Sequence, residues 1–120
     1  MSTAYNFSLL NNTKKTTFYI NKLLINYPKK ETVLINSIEQ NMYNLIELIF
    51  SYNINTTNRI KEKYLKDIIV KLSMLDYYMN ISYEKKIISK KQFTSSSNFI
   101  IEIRKITYGI LRTQKEADPV

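Results

Sequence analysis

Residues 82–92 read Ser-Tyr-Glu-Lys-Lys-Ile-Ile-Ser-Lys-Lys-Gln and contain both a helix boundary and the densest group of lysines in the chain. Ser89 and Gln92 have capping-box spacing, in which the serine side chain bonds the N3 amide and the glutamine reaches back to the N-cap amide. A helix is therefore expected to begin here. The lysines around this start, where the helix dipole disfavours cations, are Lys85, Lys86, Lys90 and Lys91. They indicate either an anion-binding surface or a solvated, lysine-rich connection.

The composition of the whole chain favours a single helical domain. The chain has 120 residues, of which one is glycine and two are proline. A chain of this length forms one domain that buries roughly two-thirds of its extended-chain surface. So few turn-forming residues leave little material for the many tight turns of an all-β fold. The predicted fold class is all-α.

The charge of the chain is strongly positive and unevenly distributed. Lysine and arginine number 18 against 10 acidic residues, which gives a net charge of +8. A surplus of this size on a small domain indicates a polyanionic partner, either nucleic acid or an acidic membrane face. Residues 1–30 contain lysines and no acid, whereas residues 31–55 contain acids and no base. The surplus is therefore expected to lie on one side of the fold.

Several kinds of chemistry lack their usual residues. The chain has no histidine and no cysteine, so the commonest acid–base, nucleophilic and soft-metal ligands are missing. It has no disulfide framework and no nucleotide-binding glycine pattern. We therefore expect a non-catalytic protein with no cofactor and no metal.

The sequence also lacks targeting and membrane signals. The amino terminus has no charged start followed by an apolar run, and no run approaches 18 apolar residues. No predicted helix joins a strongly cationic face to a bulky apolar face that is free of core packing. We expect a soluble cytoplasmic protein without a membrane partner.

Apolar periodicity predicts four helices joined by short connections. The first ends at Pro28, and the others cover roughly residues 30–52, 59–81 and 90–113. Residues 1–12 are expected to be flexible or a weak helical extension, residues 13–113 to form a four-helix bundle, and residues 114–120 to be a loose tail. Short connections favour an antiparallel up-down-up-down order.

The second predicted helix has more apolar surface than a monomeric bundle needs. Beside its main core-facing row, which includes Asn41, it carries a second apolar row. The members of that second row are Ile35, Met42, Ile46, Ile49 and Phe50. This row predicts a homo-oligomer interface, and the alternative is a helix deeply embedded in the core.

In an up-down-up-down bundle the first and third connections lie at the same end. Lys29 and Lys30 of the first connection then join the four lysines of residues 82–92. We call these six residues the corner lysines: Lys29, Lys30, Lys85, Lys86, Lys90 and Lys91. Pairs of lysines that are remote in sequence and meet in one corner favour a nucleic-acid-binding surface.

Further basic and aromatic residues extend this candidate site. Helices one and four are neighbours in such a bundle, and their basic residues could form one stripe. The members of the stripe are Lys14, Lys15, Lys22, Arg104, Lys105 and Arg112. Arg104 points about 100° away from the face of Lys105 and Arg112, so the alternative for it is an ion pair near Glu102 or contact with solvent. Tyr27 and Tyr83 lie beside the corner lysines and are candidates to stack on unpaired bases.

Four segments between residues 20 and 112 resemble a known family. They are Tyr-Pro-Lys-Lys-Glu at residues 27–31, Lys-Leu-Ser-Met-Leu-Asp at 71–76, Ile-Ile-Ser-Lys-Lys-Gln-Phe at 87–93 and Glu-Ile-Arg-Lys-Ile-Thr-Tyr-Gly-Ile at 102–110. In their order and separation they look like the small four-helix-bundle family of proteins encoded in intervening sequences of bacterial 23S ribosomal RNA. The same family contains the accessory variability proteins of diversity-generating retroelements.

The resemblance implies a basic bundle that assembles as a homopentameric ring. In the retroelement branch it implies a reverse transcriptase as the partner, which the bundle helps to make mutagenic complementary DNA from a template RNA. The expected ligand is then RNA, DNA or an RNA–DNA hybrid, held through its phosphates. Two alternatives remain open: a ribosomal-RNA-associated bundle without a polymerase partner, and an oligomeric structural scaffold.

Overall fold

The computed structural model describes the backbone of residues 3–117 and the side chains of residues 7–114. The helices are α1 (Thr3–Leu24), α2 (Thr32–Ile54), α3 (Asn58–Glu84) and α4 (Lys90–Ala117), with one 3₁₀ turn at Lys29–Glu31. The described part contains no strand. The prediction of an all-α fold is confirmed, and the four helices are compatible with a four-helix bundle.

α1 begins within the segment for which a flexible end or a weak helical extension was expected, and α4 extends further than predicted. α1 begins at Thr3, and Leu9 continues its buried face toward the amino terminus. α4 continues through Ala117 instead of ending at residue 113, because Leu111 and Gln114 extend its buried face. The predicted loose tail is thus helical over residues 114–117. Residues 118–120 lie outside the described residues.

The connection after α1 is short and closed by backbone hydrogen bonds. Asn26 and Tyr27 donate their amides to the carbonyls of Leu23 and Leu24, each at 3.1 Å. Pro28 follows with φ −59°, and its carbonyl accepts from the amide of Glu31 at 2.9 Å. Proline fixes φ near this value and lacks the donor needed to continue a helix, so the chain turns here.

Each helix contacts two others along the sides of an elongated molecule. α1 packs on α2 and α4, and α3 packs on the same two helices. The molecule measures 51 × 23 × 21 Å along its principal axes. The core is a single cluster to which every helix contributes, through residues such as Ile20, Ile38, Leu72 and Ile103.

The predicted oligomer row on α2 needs correction. Met42 is 3% exposed and Ile49 is fully buried, so both belong to the core of this chain. Ile35 and Ile46 are half-buried, and of the predicted row only Phe50 is exposed. The reason is that α2 packs against two neighbours, α1 and α3, and uses two apolar rows to do so. The large apolar residues that α2 does expose are Val33, Tyr43, Phe50 and Ile54.

Candidate nucleic-acid interface

Two side-chain contacts bring the first and third connections together. The ammonium group of Lys85 lies 2.9 Å from Glu31 Oε1. The hydroxyl of Tyr27 donates to Ser82 Oγ at 2.7 Å, inside the protein. Both contacts join the segment between α1 and α2 to the carboxyl end of α3. The corner lysines therefore lie on two connections that meet at one end of the molecule.

α3 ends in a Schellman motif whose left-handed residue is a lysine. The amide of Ile87 donates to the carbonyl of Ser82, and that of Lys86 to Tyr83, each at 2.9 Å. Lys86 has φ 62°, a conformation that usually selects glycine because a Cβ is disfavoured there. The chain therefore carries a positive charge at a position where backbone strain would favour a residue without a side chain.

The predicted capping box at the start of α4 is confirmed. The Ser89 amide donates to Gln92 Oε1 at 2.9 Å, and the Gln92 amide donates to Ser89 Oγ at 3.1 Å. α4 begins at Lys90, so Lys90 and Lys91 occupy its first turn. The amino-terminal end of the α4 dipole adds to the positive potential around these two lysines.

The corner carries more positive charge than its acids neutralise. All six corner lysines are exposed. Within the described part of the chain, only Lys85 among them forms a salt bridge, and its partner Glu31 has 13% of its side chain exposed. Glu84, the last residue of α3, is the other acidic residue next to the corner lysines, and unlike Glu31 it is exposed. The other five corner lysines are exposed to solvent, and their ammonium groups can bind phosphates.

The basic residues of α1 also face solvent. Lys14, Lys15 and Lys22 are exposed. The ammonium group of Lys22 lies 4.5 Å from the centre of the Phe18 ring, which is 64% exposed. An exposed ring next to a cation is a surface on which a nucleic-acid base can stack. Sequence reasoning missed Phe18, although its position four residues before Lys22 could have indicated the pair.

The predicted basic row of α4 divides into two kinds of residue. Lys105 and Arg112 are exposed, as a binding role requires. Arg104 is instead half-buried, and its Nη2 lies 2.9 Å from Asp76 Oδ2 on α3. This pair between two helices counts against the assignment of Arg104 to nucleic-acid binding and agrees with the alternative that it forms an ion pair.

The two predicted stacking tyrosines have different surroundings. Tyr27 is 6% exposed and its hydroxyl is bonded to Ser82, so it cannot stack on a base and that assignment was wrong. Burial is the main cause that raises the pKa of Tyr27 above 10.0. Tyr83 is 38% exposed and stacks on Phe93, with ring centres 5.0 Å apart and planes inclined by 16°. Tyr83 therefore keeps exposed ring surface beside the corner lysines.

A groove between α2 and α3 was not predicted. It has a volume of about 540 Å³ and begins at Val33, one turn beyond Lys30. Carboxamide side chains line its α2 side, and Lys71, Met74 and Tyr78 line its α3 side. The signal available in the sequence was Asn41, a polar residue in the core-facing row of the helix.

The fold and the corner define a class: a small, basic, all-helical protein with a lysine-rich end. No helix in the described residues has the length and apolar character needed to cross a membrane. No model of a known protein family matches the chain, and no curated protein matches its sequence significantly.

Proposed function

We propose that this chain is a non-catalytic nucleic-acid-binding protein whose corner lysines hold the phosphates of RNA or DNA. The observation that carries the proposal is the meeting of two lysine-rich connections around the Lys85–Glu31 contact. Five exposed lysines there have no acidic partner among the described residues. Clustered, unpaired cations on a protein of net charge +8 are typical of a polyanion-binding surface.

An antiparallel up-down-up-down order of the helices underlies this arrangement. Two contacts between α3 and α4 support it: Tyr83 stacks on Phe93, and Asp76, earlier in α3, pairs with Arg104, later in α4. The first pair is separated by 10 residues and the second by 28. This widening of the sequence separation is expected of neighbouring helices that run in opposite directions. The same order makes α1 and α4 neighbours, in agreement with the ring contact of Tyr19 and Phe99 at 5.2 Å.

The proposed mechanism is electrostatic and independent of sequence at the corner. Lysines that neutralise phosphates release counterions, so the logarithm of affinity falls linearly with the logarithm of salt concentration. Lys14, Lys15 and Lys22 on α1, and Lys105 and Arg112 on α4, extend the surface away from the corner. The bundle then positions a strand for a second protein and needs no catalytic residue of its own.

The first experiment compares two variants that each remove three positive charges. One replaces the corner residues Lys86, Lys90 and Lys91 with glutamine. The matched control replaces Lys61, Lys63 and Lys66 on α3, of which Lys63 and Lys66 pair with Asp67 and Glu62 in the same helix. Binding of a labelled single-stranded RNA is measured by fluorescence anisotropy between 50 and 200 mM salt.

We expect the corner variant to lose at least tenfold in affinity and to reduce the salt slope by about two, since each single-strand phosphate contact contributes about 0.7. The control is expected to change affinity less than threefold. Equal losses in both variants would show that only net charge matters, and the corner would not be the site.

The narrower proposal concerns the partner. The resemblance to accessory variability proteins supports a reverse transcriptase as the protein for which the strand is positioned. Co-purification of the tagged chain from its own host tests this directly. Recovery of a reverse transcriptase together with RNA supports the retroelement role. Recovery of ribosomal RNA without a polymerase supports the intervening-sequence role instead.

A role as an oligomeric scaffold is favoured by a specific observation. α2 exposes Tyr43 (70%), Phe50 (51%) and Ile54 (80%), whose spacing places them on one face of the helix. Exposed apolar residues that share one face of a helix are typical of a protein–protein contact. We propose that this face, which shares only Phe50 with the predicted row, forms the subunit contact of a homo-oligomer, with the pentamer as the expected size. Light scattering of the wild type and of a Tyr43→Ser/Phe50→Ser variant tests it, and a monomeric wild type contradicts it.

A further inference from the structure

The groove between α2 and α3 is lined by an unusual set of side chains. Its α2 side presents four carboxamides: Asn36, Gln40, Asn41 and Asn44. Gln40 Nε2 donates to Asn44 Oδ1 at 3.0 Å, which orients these two amides within the groove. Met74 and Tyr78 provide apolar surface on the α3 side. The groove thus combines hydrogen-bonding groups of both kinds with surface suited to a flat, apolar face.

Asn41 is one of four described residues whose buried side-chain oxygen has no hydrogen-bond partner, and it is the one that lines this groove. Only 5% of the surface of this residue is exposed. Its Oδ1 has no hydrogen-bond partner among the described residues. A buried carbonyl oxygen without a donor destabilises a fold, whereas a leucine at this core-facing position would pack without that cost. The unpartnered oxygen is itself covered, so a ligand in the groove would supply the missing partner once the Asn41 amide turns toward it.

The chemistry of the groove favours a nucleic-acid base as that ligand. A base has flat faces and an edge that carries donors and acceptors together, which a carboxamide can match with two hydrogen bonds. Asparagine and glutamine pair in this way with the N6 and N7 positions of adenine. The groove volume of about 540 Å³ lies within the range of small-ligand sites.

The position of the groove connects it to the phosphate-binding corner. Its first lining residue, Val33, follows directly after Glu31 and Thr32, and Glu31 contacts Lys85 in the corner. Beyond Asn44 a second groove is lined by Glu47, Asp67 and Lys71, so it offers no excess of positive charge to further phosphates. A nucleic-acid strand held at the corner can therefore place a base among the amides nearest the corner. Binding of the strand's phosphates beyond Asn44 is not favoured.

We propose that the groove between α2 and α3 binds an unpaired adenine of a nucleic-acid strand whose phosphates are held by the corner lysines. This inference rests on the proposed function and adds base preference to it. Asn36 and Gln40, both exposed, would bond the base edge, while Asn41 provides the deeper polar group. The corner supplies affinity, and the groove supplies discrimination among bases.

The test measures anisotropy of labelled 12-nucleotide homopolymers of A, C and U at one fixed salt concentration. The wild type is expected to bind oligo(A) at least fivefold more tightly than oligo(C) or oligo(U), since one good amide–adenine pair contributes about that much. Asn41→Leu and Asn36→Ala are expected to reduce this ratio to below twofold. Asn98→Ala, an exposed asparagine on α4, is the matched control and should retain the ratio.

The possible results separate this inference from the proposed function. In one result, the corner variant loses binding to every homopolymer while the wild type shows no base preference. That result supports the proposed function and overturns the proposal that the groove binds adenine. Retained preference for oligo(A) in both Asn41→Leu and Asn36→Ala also overturns the inference, because the preference then arises outside the groove. Circular dichroism confirms folding, and Asn41→Leu is expected to melt at a higher temperature than the wild type.

Discussion

The ammonium group of Lys85 contacts both carboxylate oxygens of Glu31, at 2.9 Å and 3.2 Å, and so joins the two connections that form the lysine-rich corner. Glu31 lies just before α2, and Lys85 caps the end of α3. The contact has two opposite effects. It holds the corner together, and it removes one positive charge from the surface that we propose to bind phosphates.

Replacing Glu31 with glutamine is expected to strengthen nucleic-acid binding. The change releases Lys85 and removes a negative charge, so affinity should rise about two- to fivefold at 0.1 M salt and the salt slope should steepen by about one. The free energy of unfolding should fall by no more than about 1 kcal/mol, because the pair is partly exposed. Glu62→Gln is the control, since it releases Lys66 from a pair on α3, away from the corner. A similar gain in both variants would contradict a local effect.

Replacing Lys86 with glycine is expected to separate stability from binding. Glycine adopts φ 62° without strain, so the free energy of unfolding should rise by about 1 kcal/mol. The lost charge should at the same time weaken RNA binding. Lys90→Gly removes the same charge from the first turn of α4, where glycine should lower stability by about 0.5–1 kcal/mol. Thermal melting and anisotropy of the two variants check the pair, and a less stable Lys86→Gly protein counts against the strain.

Replacing Tyr27 and Tyr52 with phenylalanine is expected to give opposite changes in stability. Tyr27 donates its hydroxyl to buried Ser82, so its loss should cost about 1–3 kcal/mol. The Tyr52 hydroxyl is buried without a partner among the described residues, so removing it should leave stability unchanged or raise it by up to about 1 kcal/mol. Urea unfolding at pH 7 measures both, and equal losses would contradict the difference in their surroundings.

The same tyrosines predict a loss of stability at alkaline pH. Burial raises the pKa of Tyr27 and of Tyr52 above 10.0. Below pH 10 the folded and unfolded chains both keep these protons, so stability does not depend on them. Above pH 10 the unfolded chain loses the protons first, so the free energy of unfolding should fall as pH rises. The fall should be shallower in Tyr27→Phe, and an identical pH profile in the variant would contradict it.

Replacing Arg104 with alanine is expected to destabilise the fold without weakening nucleic-acid binding. Its pair with Asp76 joins α3 to α4 and is about 70% buried, so its loss should cost about 1–3 kcal/mol. Lys105→Ala provides the contrast, because this exposed neighbour should lose affinity and keep stability. Weaker RNA binding by folded Arg104→Ala protein, at a level matching Lys105→Ala, would return Arg104 to the binding surface.

The sequence determined the helical class, the approximate positions of four helices and the capping box of Ser89 and Gln92. These features depend on apolar spacing and on hydrogen bonds between residues close in the chain, so they can be recognised without knowing how the helices pack. The sequence also determined the excess of positive charge and the unusual asparagine in the core-facing row of α2.

Only the tertiary structure decided which of these residues are available to a partner. Three predicted site residues each contact a partner more than 20 residues away. These contacts pair the charges of Lys85 and Arg104 with acids and bury the ring of Tyr27. Met42 and Ile49 became core residues because α2 lies between two neighbouring helices. Such contacts depend on the direction and rotation of each helix in the assembled fold, which helix periodicity alone does not specify.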